Sequence, residues 1–159
     1  NLTEPNGTCY FSEALQTAVR EMYGPLVSDS NSVSAVEAAR LRVSVITPPI
    51  DVVSAHVSGS GVARYGVTSE LTTMGDYSVP QQWALRLHDE GFDAIRYNSR
   101  FAPGTESWAL FGPAGPHDSL GVDEHAGVAG IDAVLAAGID VDPLPPRKSS
   151  VRLVADPPA

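Results

Sequence analysis

A single cysteine, Cys9, and a single lysine, Lys148, stand in a chain of 159 residues. One cysteine excludes an intrachain disulfide and any cysteine-rich zinc site, and it fits a reducing compartment. Basic residues number 10 against 19 acidic ones, a formal net charge of -9. That balance argues against direct nucleic-acid binding, because neutralising phosphates needs clustered Lys and Arg. Long apolar runs are also missing. The best candidate, Leu41 to Val53, is broken by Arg42, two prolines and Asp51, and falls well short of the roughly 20 residues that cross a bilayer. No basic and apolar leader precedes Cys9, so the two Asn-x-Thr sequons at Asn1 and Asn6 read as coincidence. There is no Gly-x-Gly-x-x-Gly, Walker loop, Gly-x-Ser-x-Gly elbow or His-Glu-x-x-His. The histidines, His56, His88, His117 and His125, show no ligand spacing, and no metal site is expected.

What is present suits one domain. Hydrophobic residues make up 43% of the chain, enough to bury a core. Thr8 to Phe11 is rich in β-formers and reads as a short strand. A helix is expected from Ser12, as N-cap, to Tyr23, with Gly24-Pro25 as its stop. Ala14, Leu15, Ala18, Val19 and Met22 form its apolar stripe, with Glu13 and Arg20 opposite and Glu21 near the edge. Leu41 to Ile46 alternates as a strand, with Leu41, Val43 and Val45 on one face. A second short strand is expected at Ile50 to Val53, and no firm element from Ser54 to Thr73. Val79 to Glu90 reads as a helix with Ser78 and Gln81 at capping-box spacing, Trp83, Ala84 and Leu87 inward and Gly91 as its end. Asp93 to Tyr97 and Ser107 to Phe111 read as strands. The alternation puts Arg96 on the face of Ala94, away from Tyr97. A helix at Ile131 to Ala137 stopped by Gly138, a strand near Val151 to Val154 and a loose tail, 156–159, complete the chain. Irregular alternation of this kind predicts an α+β fold, a single domain of mixed small sheets with flanking helices.

Three residues stand out chemically. Glu21 sits in the last turn of its helix, facing the negative end of the macrodipole and bordering apolar surface, where a stability-minded sequence would carry Lys. The plain alternative is a surface carboxylate paired with Arg20 or Arg100. Ser99, beside Arg100 at a strand end, can present a hydroxyl and a guanidinium to a ligand, or can simply be a turn serine. Tyr10 is either core with its hydroxyl at the rim, or part of a site.

Taken together these positions form a pattern. The stretch Gly7-Thr8-Cys9-Tyr10-Phe11-Ser12-Glu13-Ala14-Leu15 running on to Arg20-Glu21 is one block. Trp83-Ala84-Leu85, Gly91-Phe92-Asp93-Ala94-Ile95-Arg96-Tyr97, Asn98-Ser99-Arg100 and Trp108-Ala109-Leu110-Phe111 make a second. In order and spacing the two blocks resemble the RES-domain family, named for a recurring Arg, Glu and Ser. Ala94 stands where the family often has Gly, and Asn98 where it often has Pro. Asn1 aligns with the Asn of a Gly-Arg-aromatic-Asn loop. The expectation is therefore that the domain, 1–155 here, continues upstream of residue 1, where the family's two arginines would lie.

The resemblance implies a fold like the ADP-ribosyltransferase toxins and NAD as substrate, with no metal. It implies a bacterial, cytoplasmic toxin that degrades NAD at the nicotinamide–ribose bond, as a glycohydrolase or phosphorylase. A protein ADP-ribosyltransferase is the alternative enzyme, and an inactive NAD- or protein-binding module the alternative of another class. By the same resemblance Glu21 and Ser99 are catalytic, while Tyr10, Ser99 and Arg100 bind the dinucleotide. The implied partner is a DNA-binding antitoxin that blocks the cleft in a toxin–antitoxin hetero-oligomer, with a homo-oligomer as the other assembly. Without upstream arginines to hold the pyrophosphate, this chain is expected to bind NAD weakly.

Overall fold

A computed structural model describes residues 5–27, 29–47, 51–115 and 120–143. Its largest sheet has four strands in the order β1-β6-β5-β4. These are β1 (Asn6–Ser12), β6 (Glu106–Pro113), β5 (Ala94–Asn98) and β4 (Ser54–His56). β6 runs antiparallel to both β1 and β5, and β4 joins β5 in parallel. Two smaller pairs accompany it: β2 (Ser32–Ser34) with β8 (Asp140–Asp142), and β3 (Arg42–Thr47) with β7 (Gly121–Ala129). The helices are α1 (Leu15–Val27), α2 (Ala35–Arg40), α3 (Glu70–Thr73), α4 (Ser78–Asp89) and α5 (Gly130–Ala136). The α+β class and the small mixed sheets match the expectation from sequence.

The main core lies among α1, α2 and α5, where Val19, Tyr23, Val27, Ala38, Leu41, Val134 and Ile139 are buried together. Arg20 completes this unit. Its Nε donates to the carbonyl of Ala137 at 2.9 Å and its Nη2 to that of Gly138 at 3.0 Å. Those are end-of-helix carbonyls of α5, which have no helical donor of their own. Gly138, at φ +69°, turns the chain there as expected.

Several expectations are corrected. Ser12 does not cap α1. It ends β1, and its Oγ hydrogen-bonds that of Ser107 at 2.7 Å. Glu13 consequently lies in the bend before the helix instead of on its far face. Nor do Gly24 and Pro25 stop α1, which runs through both to Val27. Gly24 is there because the Phe101 ring packs where a Cβ would stand. Met22, assigned to the apolar stripe, is 61% exposed. In β3 the register shifts between Val43 and Val45, so Ile46 turns inward and Val45 outward. The short strand after the prolines is Ser54–His56, beyond the expected Ile50 to Val53. Ser78 and Gln81 form no capping box. Instead the Asp76 carboxylate accepts from the Ser78 amide at 2.9 Å, which lowers its pKa. The expected strand near Val151 and the tail lie outside the described residues.

Candidate functional site

β1 is the outermost strand of the four-stranded sheet. Along one side of it, α1, β3 and the segment leading into α4 enclose a cleft of about 1130 Å³. That slightly exceeds the roughly 300–1,000 Å³ usual for small-molecule sites, and leaves room for an extended ligand. The cleft face of the sheet is set by strict alternation. Tyr97 is paired with Ser107 and Ser107 with Ser12, and one row along Ile95 is paired with Ala109 and Ala109 with Tyr10. The opposite face carries Arg96, Trp108 and Phe11 in register, as the alternation predicted for Arg96. There Arg96 lies 3.6 Å from Glu106 and 2.9 Å from His56 Nδ1, over the Trp108 ring.

Glu21 reaches the cleft from α1. Its Oε1 is buried with no hydrogen-bond partner, and no ion pair to it exists among the described residues. Arg20 and Arg100 are both engaged elsewhere. The helix is bound at both ends of this segment. Thr17 donates to Thr105 at 2.9 Å, and Gly24 packs against Phe101. Pro25 lacks an N–H, so the helical bond from residue 25 to the Glu21 carbonyl cannot form.

Three tyrosines line the cleft with Glu21. Tyr10 and Tyr77 stand at the cleft 58% and 56% exposed, and Tyr97 lies deeper. Burial, then the charge of Glu21, then Tyr10 raise the Tyr97 pKa far above the usual phenol value, so it stays protonated. Burial and Tyr77 raise that of Tyr10 as well. Neither Tyr97 nor Tyr77 was singled out from sequence, although the alternation that turned Arg96 away already placed Tyr97 on the other face.

Arg100 also lines the cleft. Its Nη1 donates to the carbonyls of Thr73 and Met74 at the end of α3, and its guanidinium covers the Phe101 ring. Arg42 is the second guanidinium on the wall and Glu13 the second carboxylate, so charge is locally balanced despite the net -9. Ser99 is placed differently. It is 3% exposed, and its Oγ accepts from the amides of Phe101 and Ala102 at 3.2 and 3.0 Å. It faces a smaller adjoining cavity of about 450 Å³ and does not line the main cleft. The structure thus brings Tyr10, Glu21 and Arg100 together and leaves Ser99 in the turn that presents Arg100 and Phe101.

The two sequence blocks therefore converge on one cleft, and the family pattern described as RES domain matches residues 3–127. The chain belongs to the RES domain family. The matched span includes β1, α1, the whole four-stranded sheet and every cleft residue named above. No curated protein and no solved structure gives a match. Among the described residues of this RES domain no group of His, Cys, Asp and Glu could hold a metal ion, and no helix is long and apolar enough to cross a membrane.

Proposed function

We propose that the cleft cleaves the bond between nicotinamide and ribose in NAD. The observation that carries this reading is the Glu21 carboxylate, with one oxygen buried and unpartnered, in a tyrosine-lined cleft whose volume of about 1130 Å³ has room for a dinucleotide. Leaving an anion in such a place costs stability, which is offset when a cation forms beside it. The reaction supplies one. As the C1′–N bond breaks, its electron pair goes to the pyridinium nitrogen, nicotinamide leaves neutral, and positive charge develops on the ribose. Glu21 stabilises that charge. Water or inorganic phosphate then bonds to C1′ and its proton is released, giving ADP-ribose or its 1-phosphate.

Tyr10, open at the cleft, offers a face on which the nicotinamide ring stacks. Arg100, held against α3, provides the positive charge for the pyrophosphate. Ser99 shapes the turn that carries Arg100. The family resemblance adds an ADP-ribosyltransferase-like fold and the setting: a cytoplasmic toxin, with an antitoxin protein covering the cleft.

Nicotinamide release from NAD by the full-length protein tests this. Glu21→Gln keeps the side chain's size and removes its charge, and a loss of about 10²-fold or more is expected. Glu90→Gln, at the exposed C-terminal end of α4 beside Arg86, leaves the rate unchanged. A parent protein without turnover, or Glu21→Gln at the parental rate, overturns the proposal.

A further inference from the structure

The row Tyr97–Ser107–Ser12 runs straight across three strands of the sheet on the cleft face. Ser107, only 1% exposed, sits in the middle. Its hydroxyl hydrogen-bonds that of Ser12 at 2.7 Å, and Tyr97 stands directly opposite it on the other side. A hydroxyl carries one proton and can both give and accept. When Ser12 donates to Ser107, the Ser107 proton is free to turn to the phenol oxygen opposite, and the phenol proton is left over. Tyr97 lines the cleft, so that proton is available to a ligand there. The buried Glu21 Oε1 has no partner, so the phenol is not spent on it.

We infer that Tyr97 is a ligand-positioning residue that donates a hydrogen bond to an acceptor oxygen on the ribosyl end of the dinucleotide, and that Ser107 and Ser12 orient it. The inference rests on the reading of the cleft as an NAD site and adds the group that fixes the sugar beside Glu21. A donor and a carboxylate oxygen without a partner, lining the same cleft, suit a sugar, which offers both acceptor oxygens and hydroxyl protons. Because burial, and after it the Glu21 carboxylate, hold the phenol protonated, Tyr97 acts as a donor and not as a base.

The test compares parent, Tyr97→Phe, Ser107→Ala and the double variant in full-length protein, measuring kcat and KM for NAD together with thermal unfolding. Tyr97→Phe retains the ring and is expected to lower kcat/KM by roughly 10- to 100-fold, as loss of one well-placed hydrogen bond does. Ser107→Ala is expected to give a smaller loss. The double variant should be no worse than Tyr97→Phe alone, since Ser107 acts through the phenol. Equal kcat/KM for Tyr97→Phe and parent, or additive losses in the double variant, overturns the inference while the NAD reading stands. Should Ser107→Ala fail to fold, Tyr97→Phe alone decides. A parent that does not turn over NAD removes both.

Discussion

Arg20 and Glu21 are adjacent in the chain yet do not neutralise each other. About 100° of helix rotation separates them. Arg20 reaches the last carbonyls of α5 on one side, and Glu21 faces the cleft on the other. One side chain stabilises the fold, and its neighbour is left uncompensated where chemistry can use it. The two are separable by substitution.

Glu21→Gln should raise stability, or leave it unchanged, while activity falls. Glu21 is half-buried with one unpartnered carboxylate oxygen, so removing its charge relieves part of a desolvation cost, and a gain of up to about 1 kcal/mol is in keeping with functional carboxylates. Urea unfolding of parent and variant measures it. A clear loss of stability would show that Glu21 has a structural partner.

Arg20→Met should behave in the opposite way. It keeps the aliphatic stem but leaves the carbonyls of Ala137 and Gly138 without this donor. A loss of about 2–3 kcal/mol is expected from two hydrogen bonds to a charged group, partly exposed. In the surviving folded protein, KM for NAD should stay near the parental value.

Gly24→Ala tests why a helix passes through Gly-Pro. Alanine is the better helix former, so an unpacked site would gain stability. Here the new methyl meets the Phe101 ring, and a loss of about 1–3 kcal/mol is expected from overpacking. Phe101→Leu in the same background should recover part of it. The melting temperatures of the three proteins decide.

Alkaline pH should destabilise the fold through Tyr97. Its folded pKa lies above the ordinary phenol value of about 10, so the unfolded chain loses that proton first. The stabilisation is therefore intact below about pH 10 and is lost as pH rises beyond it. Each fully differential phenol contributes a slope of about 1.4 kcal/mol per pH unit. Tyr10, shifted the same way, adds to it. Unfolding free energies measured from about pH 8 to 11 should fall more steeply for the parent than for Tyr97→Phe.

The elements legible in the sequence are those whose signals are local. α5 and its Gly138 turn, α4, and the strands on either side of the 98–106 connection follow from periodicity and stop residues within one window. β4 was not legible because three residues carry no period, and its partner β5 lies 40 residues away. The expected end of α1 failed for a tertiary reason: Gly24 is selected by the Phe101 ring, not by a turn. At the site, Glu21 drew notice partly for a reason that the structure overturns: α1 runs on to Val27, so Glu21 lies mid-helix and not in the last turn, and what holds is its place beside apolar surface at the cleft. Tyr97 looked like an ordinary strand tyrosine until the sheet paired it with Ser107.

β5 is five residues long, and its two faces have very different tenants. On the back, Arg96 belongs to a cluster with His56 and Glu106. On the front, Tyr97 joins the hydroxyl row. A slip of a single position would drive a guanidinium into the cleft and pull the phenol out of it. The ionic knot behind the sheet thus serves as an alignment key, engaging only when the strand is seated in the register that the cleft requires.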